Sequence, residues 1–353
     1  MVKRFLAMEK MPFSLRNLNF SQLEEWILAR GFPKFRTKQV FQWLWRSNVF
    51  DADKMHTLPK DLRQIIELEG NINLLQRVSR IDSRLDASSK LLLKLNDGNL
   101  IESVLITEDK RNTVCVSTQV GCALGCTFCR TGSMGFVRNL SSGEILSQLL
   151  LISRLSANPV TNVVFMGMGE PFLNFDALIE AAKMMNDPRA FNLSARRISI
   201  STAGIIPGIE QLSLLPWQFK LAISLNAIFP ELRETLMPIS KKYSLDNLLK
   251  AAKSYTEKSG KLVMFEYVLI DGVNDRDEDA AELKRRLKDI PCKINLIPFN
   301  SIATAMQRPS PQRIRRFISN LENAPFPVIV RHSGGTDINA ACGQLLTNYN
   351  MEK

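Results

Sequence analysis

A chain of 353 residues with 45% hydrophobic and 23% charged side chains has the composition of a water-exposed globular protein, sized for two domains or one large domain with appendages. No apolar run approaches the roughly 18 residues that span a bilayer, and charges interrupt the basic N-terminal stretch, so the expectation is a cytoplasmic protein with no membrane contact. Its six cysteines are then expected as reduced thiols or ligands rather than as a disulfide frame.

The net charge is +11, and part of the excess is at the front, where residues 1–60 hold eleven Lys or Arg against five Asp or Glu. Arg308, Arg313, Arg315 and Arg316 form a second basic group. Such a balance favours polyanions, nucleic acid first, with a merely solvated basic surface as the alternative. Ser21-Gln22-Leu23-Glu24 has the form of a helix-starting capping box. Leu23, Trp26, Ile27 and Arg30 follow at helical spacing, and Gly31 can end that helix. Val40, Phe41, Leu44 and Trp45 make a second apolar stripe, whose tryptophans read as core rather than as a base-stacking platform.

From Lys90 the period changes. "KLLLKLNDGNLIESVLI" is two strand-like runs about the turn signal Asn96-Asp97-Gly98, and "TVCVSTQV" is a further strand. Strands "NVVFMG", "RISIST", "KLAISLN", "VMFEYVLI" and "KINLIPF" then alternate with helical patterns, and "PVIVRH" comes later. The fold class expected is α/β: an incomplete (β/α)6 barrel with an N-terminal helical accessory domain and a β-hairpin extension. The boundaries expected are 1–88 for the accessory domain, 89–345 for the barrel and 346–353 for a tail. In such folds chemistry collects at the C-terminal ends of the strands, where the cysteine loop, "GMGEP", "STAG", "SLNA" and "PFN" all lie.

"GCALGCTFCRTGSMGF" places Cys122, Cys126 and Cys129 in a Cys-x3-Cys-x2-Cys loop, one ligand short of a closed zinc cage. Cys115, Cys292 or Cys342 could still complete such a cage. A [4Fe–4S] cluster is the better match, because three thiolates hold three irons and leave the fourth for a small chelating molecule. The remaining candidates have bland readings as well. Cys342 in "AACGQL" can be a small buried hydrophobe, Cys115 a sheet residue, and Glu102 an exposed partner of a basic group. Cys292 reads as core.

The spacing, with Phe128 inside it, resembles the radical S-adenosylmethionine superfamily. Together with "CVSTQVGCALGCTFCRTGSMGFVRNL", "MGMGEPFLN" and "RHSGGTDINAACGQL", it resembles the RlmN/Cfr family of RNA methyltransferases from about Lys90 to Leu345. Pro171 after "GMGE" and the stretch "NLIPFN" favour the RlmN side. The resemblance implies a [4Fe–4S] cluster on Cys122, Cys126 and Cys129, and S-adenosylmethionine as both methyl and radical source. It implies cofactor contacts at Gly169, Glu170, Ser201, Ser224, Leu225, Asn226 and Asn300. Asn226 stands where the family usually has His, and Arg130 after Cys129 is also a departure.

The resemblance further implies that Cys342 carries the one-carbon unit as S-methylcysteine. Cys115 resolves the protein–RNA adduct through a transient disulfide with Cys342, and Glu102 accepts the adenine C2 proton. Adenine C2 is electron-poor and has no lone pair to attack a sulfonium, so a radical route is reasonable. The partners implied are 23S rRNA, the adenosine 3′ of the tRNA anticodon and an electron donor such as flavodoxin, with no obligate protein partner. Lys34, Arg36, Lys38 and Arg46 are the expected phosphate contacts of the accessory domain. The alternatives are Cfr-like methylation at C8, or a non-catalytic nucleic-acid-binding protein holding zinc or a structural cluster.

Overall fold

The computed structural model describes residues 13–108, 111–300, 302, 305–331 and 333–345. The tail expected at 346–353, and His332 of the C-terminal motif, lie outside the described residues. The accessory helices are α1 (Phe20–Leu28), α2 (Phe35–Trp45) and α3 (Lys60–Glu69). The capping box at the start of α1 lies two residues earlier than expected. Asn19 accepts from the Gln22 amide while the Gln22 side chain accepts from the Asn19 amide, and Glu24 instead pairs with Lys34 at 2.8 Å. Trp26 and Trp45 are core, as their spacing predicts. Arg16 staples this unit, donating to the carbonyls of Leu44, Val49 and Ile72, and burial lowers its pKa to about 9.

Next come β1 (Leu75–Asp82), β2 (Ser89–Leu95), β3 (Leu100–Glu108), β4 (Arg111–Cys115), β5 (Gln119–Gly121), α4 (Arg130–Ser133) and β6 (Phe136–Asn139). The sheet thus begins at Leu75, inside the stretch expected to be helical. Strands β2 and β3 turn about Asn96-Asp97-Gly98, where Gly98 takes φ +86°. "TVCVSTQV" is not one strand. At Ser117 the chain leaves the main sheet, because the Ser117 amide donates to Gln148 and its hydroxyl to the Glu102 carbonyl. β5 then pairs with β6 in a separate two-stranded sheet.

The rest alternates: α5 (Ser142–Leu155), β7 (Asn162–Phe165), α6 (Phe175–Asn186), β8 (Ile198–Thr202), α7 (Ile206–Ser213), β9 (Lys220–Ser224), α8 (Pro230–Leu236), α9 (Leu245–Ser259), β10 (Val263–Leu269), α10 (Asp277–Leu287), β11 (Cys292–Pro298), α11 (Pro311–Asn320) and β12 (Val328–Val330). The ten-stranded sheet runs β1-β2-β3-β4-β7-β8-β9-β10-β11-β12, antiparallel up to β4 and parallel beyond it. Its two outer strands are not paired to each other, so the barrel stays open. The expected six βα strands are present, and "PVIVRH" adds β12 as a short parallel edge beside β11. Cys292 is buried at the start of β11, in agreement with a core role. Among the described residues no helix is long and apolar enough to cross a membrane.

Candidate active site

A cavity enclosing about 920 Å³, counting its open mouth, lies at the C-terminal ends of β7, β8, β9, β10 and β11. One wall is the cysteine loop, with Cys122, Cys126, Phe128 and Cys129. The strand ends supply Gly169, Glu170, Ser201, Ser224, Asn226, Glu266 and Asn300, and the C-terminal loop supplies Cys342. Leu225, between Ser224 and Asn226, does not line it. Its side chain is fully buried, and its backbone bonds to the Glu266 carbonyl and to Arg233.

The cysteine loop has little freedom. Gly121 takes φ +72°, and a Cβ there would fall 1.9 Å from the Gly135 carbonyl oxygen, so a side chain would push the loop off β6. The Thr127 amide donates to Leu236 and the Arg130 amide to Gly343, fixing the loop to α8 and to the C-terminal loop. Burial pushes the Cys122 thiol up to about 12 and raises Cys126 and Cys129 as well. Thiols in that state bind a metal centre by releasing their protons to solvent, while the metal supplies the missing positive charge. Among the described residues no trio of His, Cys, Asp or Glu closes on a single metal ion. The three thiols line the same cavity. Two buried acceptors of the cavity lining, Glu266 Oε1 and Asn300 Oδ1, have no hydrogen-bond partner. Both features fit a cluster with a polar ligand beside it.

Glu170 is buried, and burial pushes its pKa up to about 7 against the pull of the Ala203 and Phe172 amides and the Thr202 hydroxyl. Each oxygen still has a lone pair for a ligand. Gly167 and Gly169 also serve close packing. A Cβ at either would come within 2.7 Å of Val116 and Ser117, or within 2.5 Å of the Gln119 side chain. Asn226 takes φ +56°, a left-handed conformation that asparagine tolerates. Its Oδ1 accepts from the Val268 amide and its carbonyl accepts from Asn274. The departure from His therefore serves the turn after β9.

A second, smaller cavity adjoins the first and is lined by Ile106, Cys115, Met166, Arg331 and Cys342. Met166 and Cys342 belong to both. The two cysteines, 227 positions apart in sequence, thus meet at one cavity, and both are free thiols. Burial, then the neighbouring Cys342, pushes the Cys115 thiol up to about 12, while Arg331 pulls it down. Glu102 lines neither cavity. It is buried on β3, paired with Lys90 at 3.0 Å, and its amide donates to the Met168 sulfur behind the Gly-rich loop. The expected pairing with a basic group is present, but buried rather than exposed.

Three residues escaped the sequence reading. Glu266 carries no motif. Arg331 opens the quoted C-terminal motif, and nothing in the residue order marks it. Its guanidinium is held above its ordinary value chiefly by Cys342, and then by Glu266 and Cys115. Arg233, on α8, is fully buried and donates to the carbonyls of Ala203, Ser224 and Leu225 and to Ser240, tying two strand ends together. An arginine in a helical pattern reads as solvated surface, so only the packing could have found it.

Residues 116–283 match the family model of the radical SAM superfamily, and residues 13–72 match the ribosomal RNA large subunit methyltransferase N-terminal domain. A protein of Petrotoga mobilis, called probable dual-specificity RNA methyltransferase RlmN, is 41% identical over 95% of this chain and 96% of its own length. A dual-specificity RNA methyltransferase RlmN of Halorhodospira halophila is 42% identical over 95% and 94%. The crystal structure of a radical SAM methyltransferase from Sphaerobacter thermophilus superposes with a TM-score of 0.92 at 43% identity, covering 95% of this chain and 99% of that one. With its three-thiol loop facing a cavity at the strand ends and relatives matched over nearly its whole length, the chain belongs to the RlmN family of radical S-adenosylmethionine RNA methyltransferases.

Proposed function

We propose that this enzyme methylates C2 of adenosine in the peptidyl-transferase region of 23S rRNA, and of the adenosine 3′ of the tRNA anticodon. The names of its relatives and the match to a ribosomal RNA methyltransferase domain support both the reaction and the RNA substrates. The observation that carries the residue roles is that Cys342 stands in the walls of both cavities, with the three-thiol loop on one side and Cys115 on the other.

Cys122, Cys126 and Cys129 would hold the [4Fe–4S] cluster, and Gly169, Glu170, Ser224 and Asn300 would surround S-adenosylmethionine. When bound, the pair supplies a methyl group and a one-electron cleavage of the sulfonium. Cys342 Sγ takes the methyl group and carries the carbon to adenine C2. Cys115 attacks that sulfur from the adjoining cavity, so an S–S bond forms as the sulfur–carbon bond to the base breaks. The carbon keeps the bonding pair and takes a proton to become the methyl group, and a two-electron thiol reductant returns both cysteines to the free thiols. The Arg331 guanidinium beside both sulfurs favours the thiolate that such an attack needs. Glu102 is the acceptor of the C2 proton in this reading; because it lines neither cavity and is paired with Lys90, that pair has to shift before the transfer.

Chemistry on a base needs it out of its stack, at a cost of a few kcal/mol. Basic residues of the accessory helices offset that cost through phosphate contacts. Lys38 and Arg46, with Arg189, line a groove against Phe20 and Phe41. An electron donor of the flavodoxin class would reduce the cluster. Nucleoside mass spectrometry of rRNA and tRNA with and without the protein tests the reading. 2-Methyladenosine in both is the expected product, 8-methyladenosine would move the enzyme to Cfr-like chemistry, and no methyladenosine would overturn it.

A further inference from the structure

Glu266 lies on β10, register-paired with Ser224 of β9, and is buried. The Ser201 hydroxyl, on β8, donates to its Oε2 at 2.8 Å. Oε1 is buried and has no hydrogen-bond partner, although the residue lines the large cavity. Arg331 feels the charge of this carboxylate, but among the described residues no Lys or Arg forms an ion pair with it within 4.0 Å. A buried carboxylate oxygen left without a donor costs a few kcal/mol, so a fold that keeps one beside a pocket holds it for a ligand.

The layout of the cavity selects the ligand group. A molecule anchored at the cysteine loop, with its amino end near Glu170, must run across the ends of β8, β9 and β10 before reaching β11. At the β11 end Ile297 and Phe299 offer apolar faces, and Asn300 Oδ1 is a free acceptor, a lining suited to a base with an exocyclic amine. The middle stretch faces Ser201, Ser224 and Glu266. In S-adenosylmethionine the group between the amino-acid end and the base is a ribose with two adjacent hydroxyl donors, and a carboxylate oxygen is the matching acceptor.

We propose that Glu266 is a cofactor-binding residue whose free carboxylate oxygen accepts the ribose hydroxyls of S-adenosylmethionine, with Ser201 positioning that carboxylate. The assignment rests on the function proposed above. It also revises the role of Ser201, whose proton is spent on Glu266.

The test measures binding and needs no turnover. Cluster-loaded wild type, Glu266→Ala and Glu266→Gln are titrated with S-adenosylhomocysteine and with its 2′,3′-dideoxy analogue, with iron content and thermal midpoint recorded. Loss of the diol should weaken binding to wild type about 10- to 100-fold, as for hydrogen bonds to a charged group. Glu266→Ala should show a similar loss with S-adenosylhomocysteine, and little further loss with the analogue. Glu266→Gln preserves volume and the Ser201 contact, and should show a reduced diol penalty if the alanine variant loses iron. A full diol penalty in a folded variant, or wild-type affinity in both variants, overturns the assignment alone. A wild type that binds neither compound overturns it together with the reading beneath it.

Discussion

Asn300 Nδ2 donates to the Cys342 carbonyl at 3.3 Å and to Ser333 Oγ at 3.1 Å, so the end of β11 holds the backbone of the expected methyl carrier. The cysteine loop holds the same segment from the other side. The Arg130 amide donates to Gly343 and the Thr131 hydroxyl to Leu345. Gly343 takes φ +81°, and a Cβ there would sit 3.2 Å from the Phe128 carbonyl oxygen, so glycine allows this approach. Cys342 is thus fixed relative to both the cofactor cavity and Cys115.

Removing the Asn300 clamp should reduce transfer without unloading the protein. Asn300→Ala is expected to lower the RNA methylation rate by about 10-fold or more, since small misplacement of a reacting group is costly. Iron content should remain at the wild-type level. The measurement is single-turnover methylation beside an iron assay, and an unchanged rate would remove the positioning role.

The two meeting cysteines should fail in different ways. Cys342→Ala is expected to bind iron normally and give no methylated RNA. Cys115→Ala should accumulate a covalent protein–RNA species, visible as a shifted band on a denaturing gel. Clean turnover by the Cys115 variant, with no adduct, would exclude a resolving thiol.

Arg233→Ala leaves three strand-end carbonyls and the Ser240 hydroxyl without their donor in a dry interior. Burial already lowers this arginine to about 10, with the Cys126 thiol opposing that shift, which marks how little solvent reaches it. We expect a loss of about 2–5 kcal/mol in urea unfolding. Lysine should recover only part, because it lacks the planar fork that reaches several carbonyls at once.

The C-terminal loop is also latched to the segment between β1 and β2. Asp337 accepts from the Ser83 hydroxyl and the Arg84 amide, and Asp86 accepts from the Gly335 amide. The Ser83 and Arg84 bonds hold Asp337 below the ordinary carboxylate value. Burial raises Asp86, but bonds from Ser88 and Gly335 outweigh it and leave Asp86 lowered too. A depressed folded pKa means that the contribution is complete above the unfolded value, about 4, and fades as pH falls through the lower folded value. The protection of amides in 333–345, measured by mass spectrometry and corrected for the intrinsic pH dependence of exchange, should therefore fall below about pH 4 in the wild type. Asp337→Asn should show faster exchange already at neutral pH and a weaker response to acid.

Much of this molecule could be read locally. The Cys-x3-Cys-x2-Cys spacing, the Asn96-Asp97-Gly98 turn and the alternation of strand and helix periods depend on neighbours in the chain, and they are where a linear reading places them. The cap of α1 shifted by two residues because several polar side chains there can serve, and only the local backbone selects among them. Leu225 could not be separated from Ser224 and Asn226 by pattern, since a one-residue step on a strand end turns the side chain from cavity to core.

Other features exist only once distant segments are packed. Cys115 and Cys342 become neighbours because the C-terminal loop folds back over β4, and the Ser201–Glu266 bond joins two strands separated by a third. Whether a carboxylate oxygen is paired, or an arginine is surrounded by carbonyls, depends on what long-range packing brings beside it and on the water it excludes. Residue order alone carries the three-cysteine spacing and the periodicity; desolvation and convergence across the sheet make the acceptors and clamps of the site.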